Sequence, residues 1–143
     1  MSIKSILSTK GDNVVTVEPT ATLEAAVNTL TQHRIGAIVV LGPDRRVTGI
    51  VSERDIIRAL AQHGADVLKQ PIAQVMTRKV ATCTQAETVA TIMETMTNGR
   101  FRHVPVVEQD RLVGIISIGD VVKHRLKEME QESAALRDYI QTA

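Results

Sequence analysis

The chain has 143 residues, 17 Lys and Arg against 16 Asp and Glu, a formal net charge of +1 and no tryptophan; that length makes one compact domain burying roughly 70% of its unfolded surface. Phe101 and Tyr139 are the only aromatic side chains, so bases have no stacking platform, and the dispersed charge makes no basic stripe to track a phosphate backbone; nucleic acid is excluded as a bulk partner. Cys83 stands alone, no Cys/His cluster has zinc spacing and no run nears the roughly 20 apolar residues of a membrane span, so a soluble, cytoplasmic protein without a metal site is expected.

In chain order, IKSIL (residues 3–7) is an amphipathic turn, and the N-terminal patch with Lys4, Lys10 and Asp12 is too short and too charged for a signal peptide. TVEPTATLEAAVNTL (16–30) begins extended and becomes helical, with Leu23, Ala26, Val27 and Leu30 on one buried face. GAIVV (36–40) and VTGIVS (47–52) are strands joined through LGPDRR as a hairpin, after which SERDIIRALAQ opens a helix. HGADVLKQP (63–71) is a linker.

The order then returns. IAQVM (72–76) matches IKSIL, and TCTQAETVATIMETM (82–96) matches the earlier strand and helix, with Val89, Ile92, Met93 and Met96 as its apolar stripe. HVPVV (103–107) and LVGIIS (112–117) repeat the hairpin across EQDR, and SIGDVVKHRLKEM opens the last helix. Length differences between the copies fall at turns, as loops allow. The duplication predicts an α/β (α+β) fold of two pseudo-symmetric units, each a small three-stranded sheet with two helices, packed face to face because a unit of about 60 residues is marginal alone. Boundaries are expected at 1–62, 63–71, 72–130 and 131–143, the last a helical extension, with ligand clefts between the copies.

Each copy closes on Gly-x-x-Ser-x-x-Asp, GIVSERD (49–55) and GIISIGD (114–120). A serine followed three residues later by an acid is a helix capping box. The same pair at a helix N-terminus also suits the hydroxyls and phosphate of a nucleotide, and the two roles can coexist. Gly49 and Gly114 permit either a turn or a close backbone approach.

The doubled unit, VMT opening the second copy, RHVPVV before its hairpin and the repeated closing motif together resemble the tandem cystathionine-β-synthase (CBS) domain pair, or Bateman module, over nearly the whole chain. The resemblance implies a stand-alone regulatory sensor, not an enzyme, binding adenosyl ligands such as AMP, ADP, ATP, NAD(H) or S-adenosylmethionine. Asp55 and Asp120 would accept ribose hydroxyls, as an acceptor-only carboxylate can, and Ser52 and Ser117 would contact ribose or phosphate. Arg54, Arg102 and His103 are the candidate phosphate partners, unequally divided between the copies. Thr16 and Ile38 would line one adenine cleft, and Thr82, Val104 and Pro105 the other; the apolar members are equally well explained as core. Met76, Met93 and Met96 read as adaptable core filling and Cys83 as an inert buried thiol.

Past the repeat, Val122, Leu126, Met129, Leu136 and Ile140 fall on a heptad-like seam with Ser133 in the skipped position, implying a partner helix from a second copy, hence a homodimer. A regulated protein partner is the other expected contact. The alternative function is a ligand-free dimerisation or interaction module. Without a nucleophile elbow, P-loop or Rossmann glycine fingerprint, an enzyme is not expected.

Overall fold

The computed structural model describes residues 1–11 and 13–142; Asp12 and Ala143 lie outside the described residues. The elements are α1 (Ile3–Lys10), β1 (Thr16–Val17), α2 (Leu23–His33), β2 (Ala37–Leu41), β3 (Val47–Ser52), α3 (Glu53–His63), α4 (Val89–Gly99), β4 (His103–Glu108), β5 (Arg111–Ser117) and α5 (Ile118–Thr142). Threonines open the matching helices α2 and α4: Thr22 Oγ1 accepts the Ala25 N–H and Thr88 Oγ1 the Thr91 N–H, each at 3.1 Å, pairing an amide the helix itself leaves free. Both helices stop on an arginine in the left-handed region, Arg34 (φ 53) and Arg100 (φ 57), a position usually given to glycine.

The first sheet has the order β1-β2-β3, with β1 parallel and β3 antiparallel to β2. The second is the β4-β5 hairpin alone. Gln109 (φ 51) and Asp110 (φ 62) are both left-handed, the twist that a two-residue hairpin turn requires. A full third strand is expected in this copy, but it shrinks to a bridge at Cys83, whose N–H donates to Pro105 O at 3.0 Å and whose carbonyl accepts from the Val107 N–H at 2.8 Å. The next two amides leave the ladder for side chains, Thr84 N–H to Glu87 Oε2 (2.6 Å) and Gln85 N–H to Glu108 Oε1 (2.9 Å), so the pairing stops there.

Each sheet packs on its own helices, giving two apolar cores, and the opening segments of the repeats are exchanged between them. Ile3, Ile6 and Leu7 of α1 pack with Val89, Ile92, Val104 and Ile116 of the second half. Ile72 and Met76 pack with Leu23, Ile38 and Val51 of the first. Each such buried side chain contributes about 1.5–3 kcal/mol, so the exchange fastens the halves together. It also explains the paired glycines, neither of which has a positive φ. A Cβ at Gly49 would stand 2.5 Å from Met76 Sδ, and one at Gly114 would stand 2.8 Å from Leu7 Cδ2, so both make room for the exchanged segment rather than for a turn. Cys83 is buried, and burial, with smaller pushes from Glu87 and Glu108, raises its thiol to about 12, as an inert core residue requires. Among the described residues no helix is long and apolar enough to cross a membrane.

Candidate functional site

Both Ser-x-x-Asp phrases are reciprocal helix caps. At α3, Asp55 Oδ2 accepts the Ser52 N–H at 2.9 Å while Ser52 Oγ accepts the Asp55 N–H at 3.4 Å. At α5, Asp120 Oδ2 accepts the Ser117 N–H at 2.8 Å while Ser117 Oγ accepts the Asp120 N–H at 3.1 Å. The cap uses one carboxylate oxygen in each case, and the two aspartates then part company. Asp55 Oδ1 takes only the Thr77 hydroxyl, at 3.2 Å, and a distant Arg58 guanidinium at 3.8 Å. Asp120 is instead ion-paired to Lys10, whose ammonium donates at 2.6 Å to the same Oδ2 that makes the cap, and to Ile115 O at 2.9 Å.

A cleft of about 730 Å³ lies between the halves, where the exchanged segment, both helix starts and the turn before β4 converge. Ser52, Arg54, Asp55 and Arg58 come from the start of α3, and Thr77 and Lys79 from the segment after Met76. Arg100, Arg102 and His103 come from the approach to β4, and Ser117 and Gly119 from the start of α5. Ala37, Ile50, Val80 and Ala81 supply an apolar wall. Arg54, Arg58, Lys79, Arg100 and Arg102 face two acids, Glu53 and Asp55, so the cleft carries an excess of positive charge although the chain is nearly neutral. Among the described residues only Arg58 of these five has a carboxylate within 4.0 Å, which leaves four cations available to an anion.

His103 is half-buried with its ring over Gly36, where an added Cβ would meet Cε1 at 3.5 Å. Burial first, then the positive charges of Lys10 and Arg102, push its pKa below 6.5 against the opposing pull of Asp120 and Glu53, favouring the neutral ring at pH 7. For Asp120 burial pushes the pKa up, but the hydrogen bonds and charge of Lys10 and the bonds from Ser117 outweigh it and hold the carboxyl below its usual range.

Of the side chains expected from sequence, Ser52, Arg54, Asp55, Arg102, His103 and Ser117 are brought into this one cleft. Asp120 sits behind Lys10 and is not among its lining residues. Ile38 and Val104 are 0% exposed in the two separate cores. Thr16 pairs with Val39, the Pro105 carbonyl is occupied by Cys83, and Thr82 lies just past the Val80–Ala81 wall. Sequence reasoning missed Arg58, Lys79 and Arg100. Lys79 had a signal, since it follows VMT as Lys10 follows the matching segment of the first copy. Arg58 stands one helical turn after Arg54, and Arg100 occupies a cap that glycine would fill at less cost. A smaller hollow of about 470 Å³ beside α3 is lined by Gln62, His63, Asp66 and Gln70, with Arg58 as its one strong cation, and lacks this convergence of charge.

Comparison with known proteins agrees with the repeat. The family model described as "CBS domain" matches twice, over residues 3–62 and 72–127. A crystal structure of a CBS-domain-containing protein from Agrobacterium tumefaciens superimposes with a TM-score of 0.84 at 50% identity, covering 87% of this chain and 99% of that one. A CBS domain protein from Pyrobaculum aerophilum, complexed with AMP, has a TM-score of 0.75 at 31% identity, covering 84% and 89%. A mitochondrial CBS domain-containing protein of Arabidopsis thaliana is 36% identical over 124 residues, which are 84% of this chain but 60% of that protein's length.

Proposed function

We propose that this chain, which belongs to the CBS-domain family, is a regulatory module that binds one adenosyl nucleotide in the Asp55 cleft and passes the binding on to a protein partner. One observation carries this: a cleft with the Asp55 carboxylate and four cations that have no carboxylate within 4.0 Å among the described residues is assembled from both repeats, so an anionic ligand there touches both at once. Adenine fits the apolar wall of Ala37, Ile50, Val80 and Ala81. Asp55 Oδ1, which accepts only the Thr77 hydroxyl, can accept a ribose hydroxyl as well, and Arg54, Lys79, Arg100 and Arg102 suit one or more phosphates. AMP, ADP, ATP and NAD(H) all meet that description, and the AMP complex of the Pyrobaculum relative supports the class. The matching carboxylate of the second copy, Asp120, is ion-paired to Lys10 and does not line the cleft, which favours one occupied cleft over two.

The test is a cycle with one change made on the ligand. Arg54→Ala is expected to weaken AMP by about 1.5–3 kcal/mol and to leave adenosine, which has no phosphate, nearly unchanged. Asp55→Ala is expected to weaken both ligands tenfold to a hundredfold, on the order of 1.5–3 kcal/mol. If calorimetry detects neither AMP nor ATP nor NADH on the folded wild type, the function is that of an interaction module instead.

A further inference from the structure

The last helix carries the longest stripe of uncovered apolar side chains among the described residues, beyond the isolated Ile57 and Leu60 of α3 and Met93 of α4. Of the 25 residues of α5, Val121 is the buried one, while Val122, Leu126, Met129, Leu136 and Ile140 are 49%, 55%, 51%, 60% and 64% exposed, all on one stripe. A helix segment of this length with an unpacked face is marginal in water, so the stripe calls for a covering helix. Its spacing makes Leu126, Ser133 and Ile140 the a positions of a heptad and Val122, Met129 and Leu136 the d positions.

The residues flanking that seam decide what covers it. The g positions are Arg125, Glu132 and Tyr139, and the e positions are Lys123, Glu130 and Arg137. In a parallel, in-register pair of identical helices each g residue meets the e residue five places on in its partner. Arg125 then faces Glu130 and Glu132 faces Arg137, both attractive, and two-fold symmetry makes each pair twice. In an antiparallel pair that covers the same five apolar residues, Glu130 and Glu132 each meet their own copies and Lys123 meets Arg137, all repulsive. We propose that residues 122–140 form a parallel two-stranded coiled coil with a second copy of this chain. Arg125 also holds Glu128 on its own helix at 2.8 Å, yet stays 50% exposed and open to a partner. Ser133 is the weak layer, a small polar side chain at the central a position. Both α5 starts, and with them the Ser117 edges of two clefts, then lie at one end of the dimer.

The test uses the full chain in two charge variants. Glu130→Lys with Glu132→Lys, and separately Arg125→Glu with Arg137→Glu, are each expected to weaken self-association about tenfold or more by sedimentation equilibrium. Mixing the two variants is expected to restore a heterodimer, because all four flanking pairs become attractive again, an outcome that misfolding of either variant would not give. Direction is read from oxidation: Ile140→Cys alone is expected to form an interchain disulfide, Cys83 staying buried and inert. A monomeric wild type overturns the proposal. So does a mixture no tighter than its parents, or crosslinking only when Ile140→Cys is mixed with Val122→Cys, the antiparallel result.

Discussion

Replacing Lys10 with methionine keeps the side-chain stem and removes only the ammonium that closes Asp120. A hydrogen bond between charged groups contributes about 1.5–3 kcal/mol when well shielded. Here the two side chains are 32% and 22% exposed, so solvent screening reduces the figure to about 1 kcal/mol. For a domain of this size that is a fall in Tm of about 3 °C. The dependence on pH is fixed in sign. Asp120 has a lowered pKa in the folded protein, so its contribution is complete above the ordinary carboxylate value near 4 and is lost as pH falls through the lowered folded value. The Tm gap between wild type and Lys10→Met is therefore expected to be full at neutral pH and to close in acid, as the pH falls through the lowered folded value of Asp120. Asp120 keeps its cap bond to the Ser117 N–H in this variant and lines no part of the cleft, so titration calorimetry with AMP is expected to give one site per chain before and after the change. A Tm gap that persists unchanged in acid would refute the ion pair as its source.

His103 is expected to titrate below 6.5 by NMR and to move back up in Lys10→Met, because one of the charges holding it down is gone. Since the unfolded chain then takes the proton first, urea-measured stability is expected to drop as pH falls below about 6.5, and His103→Gln to flatten that drop. Gly114→Ala drives a methyl to 2.8 Å from Leu7 and is expected to cost about 1–3 kcal/mol of unfolding free energy. Adding Leu7→Ala is expected to cost less than the sum of the two single changes, and strict additivity would show that the glycine serves something other than the exchanged helix.

The stripe of α2, the hairpins and the capping serines are legible in sequence because each rests on contacts within a few residues, and the repeat because one local pattern is written twice; on α4 the expected buried stripe holds at Val89, Ile92 and Met96, but Met93 is 38% exposed and is not core filling. What was not legible depends on contacts across the chain. The pattern Ile3, Ile6, Leu7 says that one face of α1 is covered, but nothing local says that the second half covers it. Arg58, Lys79 and Arg100 read as solvated surface until the fold gathers them around one space. Lys10 and Asp120 are separated by 110 positions and meet at 2.6 Å only because α1 is exchanged. The two closing phrases share glycine, isoleucine, serine and aspartate, and the exchange brings a different set of partners to each aspartate. Each copy carries a lysine just after its opening segment, and the exchange delivers it to the side of the cleft where the other copy ends on aspartate. In the second half Lys10 closes the pair. In the first half the Thr77 hydroxyl takes the free oxygen of Asp55, and Lys79 has no carboxylate within 4.0 Å among the described residues, so its charge stays in the cleft with Arg54, Arg100 and Arg102. Both phrases thus cap a helix and both edge the one cleft, but only the first brings its carboxylate into it, because Asp120 is held outside by Lys10.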